Sequence, residues 1–253
     1  MYSTRRGICG TLTLAASLLI AGCGNSNNAN VRTVNASPGL TGYSVQVGQT
    51  GIAFSLPYGT EGVQPPGQYS TDDSSGNYRL IGAGPSQPVV LYQKAGTNLA
   101  TSTLSMVKGS YYTIVNVGIY PTIGLMNLTD NDSAPTSGDF KLRVVGSSSS
   151  IGPVDVYLTA PGAPVSGNAV SSNLLFQQVT PNYLQLAPGS FEIQITPHGS
   201  TAVLAKTAFS PASGQIYSVF VLDPAPGSNS FGVLVTNDPV SATATTTSTT
   251  TGG

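Results

Sequence analysis

The chain of 253 residues sets nine basic residues against ten acidic ones, and its charged residues make up only 8% of the total. A near-neutral, charge-poor chain has no basic patch with which to meet a phosphate backbone, which excludes nucleic acid as a partner. One histidine and two cysteines leave no donor set for a transition-metal site of ordinary ligand count.

The N-terminus reads as an export signal. Arg5 and Arg6 make a positive start, and Thr11 to Gly22 form an apolar run that ends in small side chains. That run is too short to span a bilayer, which takes about 20 apolar residues. It closes on Ile20-Ala21-Gly22-Cys23, which resembles the lipobox of bacterial lipoproteins. The resemblance implies a signal peptide over 1–22, cleavage before Cys23, and diacylglycerol and palmitate on that residue. A twin-arginine signal would need further apolar and basic residues after Arg5-Arg6, and they are missing. Cys9 falls within the removed segment and Cys23 is blocked by lipid, so no intrachain disulfide is expected. Gly24 rather than Asp follows the cysteine, which by the sorting pattern of enteric bacteria resembles an outer-membrane lipoprotein. Residues 23–30 read as a flexible tether.

From Val31 onward the pattern is almost wholly strand. Apolar and polar residues alternate in Val31-Arg32-Thr33-Val34, Tyr43-Ser44-Val45-Gln46-Val47, Val154-Asp155-Val156-Tyr157-Leu158 and Phe191-Glu192-Ile193-Gln194-Ile195. A period of two sends one set of side chains inward and the other outward. The continuous apolar stretches Tyr112 to Val117 and Tyr217 to Leu222 predict central strands, more deeply buried. Gly and Pro interrupt at short spacing, as at Ser37-Pro38-Gly39, Ala187-Pro188-Gly189 and Pro197-His198-Gly199. The expected class is all-β, and the tail over 240–253, rich in Thr and Ala, is expected to be disordered.

The chain also repeats itself. Val31-Arg32-Thr33-Val34 recurs as Leu142-Arg143-Val144-Val145, and Tyr78 with Ile81 and Gly84 recurs as Tyr183, Leu186 and Gly189. Gly109 to Val115 is answered by Gly214 to Phe220, and Leu128-Thr129-Asp130-Asn131-Asp132 by Val235-Thr236-Asn237-Asp238. Two tandem immunoglobulin-like or transthyretin-like antiparallel β-sandwiches follow, over 31–132 and 140–239, joined by a linker over 133–139. Because Ser133 to Gly138 holds no large apolar side chain, the halves are expected to fold separately.

Val31-Arg32-Thr33-Val34-Asn35-Ala36-Ser37-Pro38, Pro57-Tyr58-Gly59, Leu128-Thr129-Asp130 and Gly152-Pro153-Val154-Asp155-Val156-Tyr157 together resemble the bacterial family of domain of unknown function 4397. Its repeats open on a V-R-V-V-H-A-S-P pattern, continue to V-D-V-Y and close on L-T-D. Asn35 stands where the family has His, and Gly146-Ser147-Ser148-Ser149 replaces H-A-S-P in the second repeat. The resemblance implies fold and location and brings no activity with it.

Few residues suggest chemistry. His198 sits in a turn, where a Ser-His-Asp arrangement would have to be built around a loop tip. Asp72-Asp73 and Asp130 with Asp132 are carboxylates close in sequence, but they lie in turns rich in Gly, Ser and Asn. The reading assigns no resident metal and no cofactor. Asp130, Asp132 and Asp238 are the calcium candidates, since oxygen-rich turns can hold that ion, although Asp also ends strands by bonding its own backbone. Relative to its partner, the first repeat carries an insertion between Tyr58 and Tyr78, in which Tyr69, Asp72 and Asp73 would suit a glycan or protein contact. The second has its own excursion from Thr159 to Ser172. The sequence therefore predicts a lipid-anchored envelope protein, attached to a membrane through its N-terminal lipid and not an enzyme, that serves as a structural or binding module. The alternative is a carbohydrate-binding or calcium-dependent adhesion protein.

Overall fold

The computed structural model describes residues 27–63, 77–93, 96–130 and 133–240. Cys23, Tyr69, Asp72, Asp73 and Asp132 lie outside these residues. Among the described residues every regular element is a strand, and no helix is long and apolar enough to cross a membrane.

The first half contributes β1 (Asn28–Asn35), β2 (Tyr43–Val47), β3 (Thr50–Phe54), β4 (Thr60–Gly62), β5 (Arg79–Gly82), β6 (Gly84–Gln93), β7 (Thr97–Met106), β8 (Tyr111–Ile119) and β9 (Thr122–Thr129). The second contributes β10 (Phe140–Val145), β11 (Val154–Thr159), β12 (Ser171–Leu174), β13 (Leu184–Leu186), β14 (Phe191–Pro197), β15 (Ala205–Phe209), β16 (Ile216–Leu222) and β17 (Gly232–Asp238). Each half is a sandwich. Sheet β4-β1-β8-β9, with β5 also on β1, faces sheet β3-β2-β6-β7. Sheet β13-β10-β16-β17 faces sheet β12-β11-β14-β15. The strand pairings are antiparallel except at two equivalent places, where β1 lies parallel to β8 and β10 parallel to β16.

The alternation read from the sequence sets what each face packs on. Val31, Tyr112 and Ile114 point into the first sandwich, with Val45, Ile52 and Leu91 opposite. Phe140, Leu142, Val144 and Val219 point into the second, with Val156, Ile193 and Ile195 opposite. The outward residues are apolar as well. Val34, Val115, Val117, Met126 and Leu128 of the first half share one buried cluster with Val145, Phe220 and Leu222 of the second. The two central sheets are thus stacked on each other, and the chain forms four layers with the β1 and β10 sheets inside. This explains the continuous apolar stretches in β8 and β16: a strand covered on both faces has no polar side to alternate with.

The layer bears on the expectation that the halves fold separately, because it gives them a shared buried surface. The linker does lack apolar residues, but the surfaces that join the domains lie on the strands, not on the linker. The insertion after Tyr58 also begins as structure, because β4 pairs with β1 and Val63 is buried in the first core.

Two glycines are fixed by close approach. At Gly118, with φ of +90°, a Cβ would stand 2.5 Å from the Thr122 carbonyl oxygen, so the β8–β9 hairpin closes only without a side chain. At Gly146 a Cβ would stand 2.1 Å from the Leu175 carbonyl oxygen.

Candidate functional site

The layer between the domains is apolar at one end and charged at the other. β1 carries Arg32 outward and β10 carries Arg143 outward, each completely or almost completely buried. Asp130 follows the last residue of β9, and Asp238 is the last residue of β17. Arg32 Nη2 donates to Asp238 Oδ1, and Arg143 Nη2 donates to Asp130 Oδ1, so each arginine pairs with the carboxylate of the other domain. Arg143 Nη2 also lies 3.2 Å from Asp238 Oδ2, and Arg32 Nε 4.0 Å from Asp130 Oδ2.

The surroundings are equivalent on the two sides. Arg32 Nε donates to Thr113 Oγ1 at 2.7 Å, and Arg143 Nε to Ser218 Oγ at 2.6 Å. Arg32 Nη1 donates to the Asn237 carbonyl at 2.9 Å, and Arg143 Nη1 to the Thr129 carbonyl at 2.8 Å. The Tyr78 hydroxyl donates to Asp130 at 3.0 Å, and the Tyr183 hydroxyl to Asp238 at 2.9 Å. Each guanidinium also lies over a tyrosine ring, Arg32 at 4.8 Å from the Tyr78 centroid and Arg143 at 5.1 Å from that of Tyr183. These pairs fix the structural register of the repeats: Asp130 is equivalent to Asp238, one residue away from the direct alignment of Leu128-Thr129-Asp130 with Val235-Thr236-Asn237.

One group breaks the symmetry. Glu61 on β4 accepts from Arg32 Nη1 and has no counterpart in the second repeat. With it, three carboxylates face two guanidiniums. Burial pushes the Glu61 carboxyl up, Arg32 pulls it down, and Asp238 and Asp130 raise it again, leaving it at about 7. Burial works against the Arg32 charge, but the fields of Asp130, Tyr78, Asp238 and Glu61 outweigh it and raise the guanidinium further. Burial is likewise the first cause that holds the Tyr78 and Tyr183 hydroxyls protonated, followed by Asp130 at Tyr78 and Asp238 at Tyr183.

This corrects the calcium expectation at two of its three residues. Asp130 and Asp238 face guanidiniums, tyrosine hydroxyls and the Thr113 and Ser218 hydroxyls, so fixed positive groups of the chain already occupy the position of a cation. Among the described residues no three side chains of His, Cys, Asp or Glu gather as metal ligands.

Two further carboxylates organise loops of the second domain. Asp155, on β11, accepts from Ser172 Oγ and Asn173 N at 2.8 Å and from Gly199 N at 2.9 Å, and its Oδ1 lies 2.9 Å from His198 Nδ1. Burial opposes its charge, but the bonds from Gly199, His198, Asn173 and Ser172 win and hold the carboxyl well below the usual carboxylate range. Ser172 donates to the aspartate and not to the imidazole, so these residues do not make the relay of a hydrolase. They tie two turns to one strand.

Asp223, just past β16, accepts from the Ser149 and Ser150 backbone N–H groups at 2.9 Å and from the Ser148, Ser149 and Ser150 hydroxyls. Ser148 and Ser149, from the run that replaces the H-A-S-P pattern, form the shell of this buried carboxylate together with the next residue, Ser150. Its signal in the sequence was the departure itself. The Tyr58 hydroxyl donates to the Asp223 carbonyl across the domain boundary.

The family described as "Domain of unknown function (DUF4397)" matches the chain twice, over residues 29–157 and 159–250. No curated protein matches it. A solved structure titled "Alpha-glucan binding by a streptococcal virulence factor" aligns over 76% of this chain and 92% of its own, at 8% identity and a TM-score of 0.23, a likeness too remote to bear on what this chain does.

Proposed function

The chain belongs to the DUF4397 family through two tandem copies, and from that premise we propose that it is a lipid-anchored protein of the bacterial cell envelope, held through Cys23 in the outer membrane and working as a non-catalytic binding or structural module. The observation that supports a non-catalytic role is the use made of its ionisable groups. Arg32, Arg143, Asp130 and Asp238 close the domain interface, Asp155 and His198 tie loops, and Asp223 is enclosed by serines. These are groups of the kind that would carry acid–base chemistry, and each is engaged in holding the fold. Four stacked sheets make a stiff body, which suits a protein that presents a surface at a fixed place. Of the alternatives, the calcium-dependent one loses Asp130 and Asp238, which are paired with arginines.

The anchor is tested by Cys23→Ser. Three acyl chains hold a protein on a membrane nearly irreversibly, since each buried methylene contributes about 0.8 kcal/mol. The variant should leave the membrane fraction and lose labelled palmitate. Continued fractionation with membranes after removal of the signal would sink the lipoprotein reading.

A further inference from the structure

At the end of the interdomain layer opposite the arginines, two turns meet across the domain boundary. One is the β8–β9 hairpin of the first domain, and the other is Leu175-Phe176-Gln177 of the second. Between them lies a cleft of about 420 Å³, walled by Ile119, Ile123 and Gly124 on one side and by Ser149, Phe176 and Gln177 on the other. That volume lies within the range of ligand sites, roughly 300–1,000 Å³, and none of the wall residues is charged. Ile119, Tyr120, Leu175 and Phe176, all from these two turns, are four of the eight large apolar side chains exposed among the described residues.

The internal two-fold supplies a comparison. Gly59 N donates to the Asn35 carbonyl at 2.8 Å and Gln177 N to the Gly146 carbonyl at 2.6 Å, so Pro57-Tyr58-Gly59 and Leu175-Phe176-Gln177 are equivalent turns. Val117, paired with Gly124, is likewise equivalent to Leu222, paired with Gly232. At the first of these turns the seam is closed. Tyr58 packs on the buried layer, its hydroxyl donates to the Asp223 carbonyl, and Leu222 Cδ1 comes within 3.4 Å of where a Cβ on Gly59 would stand. At the second, the shorter Val117 takes the place of the leucine, and Phe176, which has no hydroxyl to make such a bond, stays 37% exposed. The cleft is the space so left. It runs into the layer at Val117, whose Cγ2 lies 3.5 Å from the position of a Cβ on Gly124.

The open turn is held in place as the cleft stands. Gly146 N donates back to the Gln178 carbonyl at 2.8 Å. Gln177 keeps a φ of +61° where the equivalent turn has Gly59 at +71°, a conformation that residues with a side chain seldom adopt and that is retained where function needs it. An uncharged cleft with an apolar rim, continuous with the layer that joins the domains, extends that layer to a third body. The equivalent turn shows what fits such a place: an aromatic ring carried on a turn. One ring alone would leave Tyr120 and Leu175 uncovered, so the ring comes with further apolar surface around it, as on a protein and not on a free small molecule. We propose that this cleft receives an aromatic side chain from an exposed turn of a partner protein, with the ring against Ile119 and Phe176 and the flanking residues of the partner on Tyr120 and Leu175.

The proposal rests on the binding half of the function given above and is independent of the anchor. The test is amide NMR on the isotope-labelled full chain carrying Cys23→Ser, titrated with the blocked tripeptide acetyl-Pro-Tyr-Gly-amide, which copies the turn that closes the equivalent place, and with acetyl-Pro-Ala-Gly-amide as control. Saturable shifts are expected at the amides of Ile119, Gly124, Phe176 and Gln177 with the tyrosine peptide and not with the alanine one. Gly124→Leu should weaken binding by about tenfold or more, since its side chain enters the cleft where only Val117 Cγ2 and the flexible end of Gln177 stand near. Phe176→Ser should weaken it too and leave the melting temperature unchanged, because the ring is exposed. Equal shifts with both peptides, or undiminished binding in Gly124→Leu, would overturn the site. So would shifts of these amides with protein concentration alone, accompanied by a dimer in sedimentation, which would make a second copy the occupant, or shifts of the same amides with maltose, which would make it a sugar site. Saturable shifts confined to another part of the chain would remove the cleft and leave the binding reading in place, whereas no shift anywhere would count against both.

Discussion

Arg32 reaches Asp238, 206 positions further along the chain, and Arg143 reaches Asp130, 13 positions back. The two contacts are equivalent in space and very unequal in sequence. That is the geometry of a two-fold interface made within one polypeptide: each copy offers the other the same arginine and the same carboxylate, and holds that carboxylate with its own tyrosine.

Removing one member of this group leaves charge buried without its counterpart. Arg143→Met should destabilise the chain by about 3–5 kcal/mol, read as a lower urea midpoint, because Asp130 and Asp238 keep their places and lose a guanidinium. The joint replacement of Arg32, Arg143, Asp130 and Asp238 by Met and Leu should recover most of that loss, since well-packed apolar groups escape the desolvation cost. A single substitution that costs under about 1 kcal/mol would mean water reaches the group.

Glu61 makes the interface sensitive to pH in a direction opposite to ordinary acid denaturation. Its carboxyl is raised from 4.5 to about 7 in the folded chain, so between these values the folded state binds the proton that the unfolded state has released. Its contribution is therefore fully present below about 4.5 and is lost as pH rises through 7. Melting temperature should fall between pH 5 and 8, an effect on the order of 2 kcal/mol, and Glu61→Gln should flatten that slope. An unchanged slope in the variant would assign the pH dependence elsewhere.

The shared layer should make the two domains one cooperative unit. Intact protein should melt in a single transition, with calorimetric and van't Hoff enthalpies in agreement. Residues 27–134 and 138–240 made separately should each expose Arg, Asp and the apolar face of β8 or β16, and should associate when mixed. Two transitions in the intact chain, matching those of the isolated halves, would show that the layer adds little.

The sequence made the strands, the repeats and Arg32, Arg143, Asp130 and Asp238 visible, but neither Glu61 nor the meeting of the group. Arg32 with Arg143, Tyr78 with Tyr183 and Thr113 with Ser218 are aligned by the internal repeat. Alignment says that two positions are equivalent in their own domains, which leaves open whether they touch. What brings them together is the packing of one copy on the other, and no local period encodes that. A signal did exist in Tyr112 to Val117 and Tyr217 to Leu222, because a strand that is apolar on both sides needs a cover on both. The linker pointed the other way, since a connection of small and polar residues is compatible with domains that touch as well as with domains that do not. Asp155 and Asp223 were hidden for a different reason: a carboxylate satisfied by turn N–H groups and serine hydroxyls looks, in sequence, like any polar residue near a turn.

The contact between Arg32 and Asp238 also orients the molecule. β1 starts four residues before Arg32, and β17 ends at Asp238, so the first and last strands meet at one end of the body. β17 runs from there through its seven residues to Gly232, roughly 20 Å away at about 3.4 Å per residue. Phe231 and the connection from β16 to β17 stand at that far end. If the chain is anchored ahead of Asn28 as proposed, the anchor holds the molecule by its base and the connection from β16 to β17 becomes the part that stands furthest from the membrane.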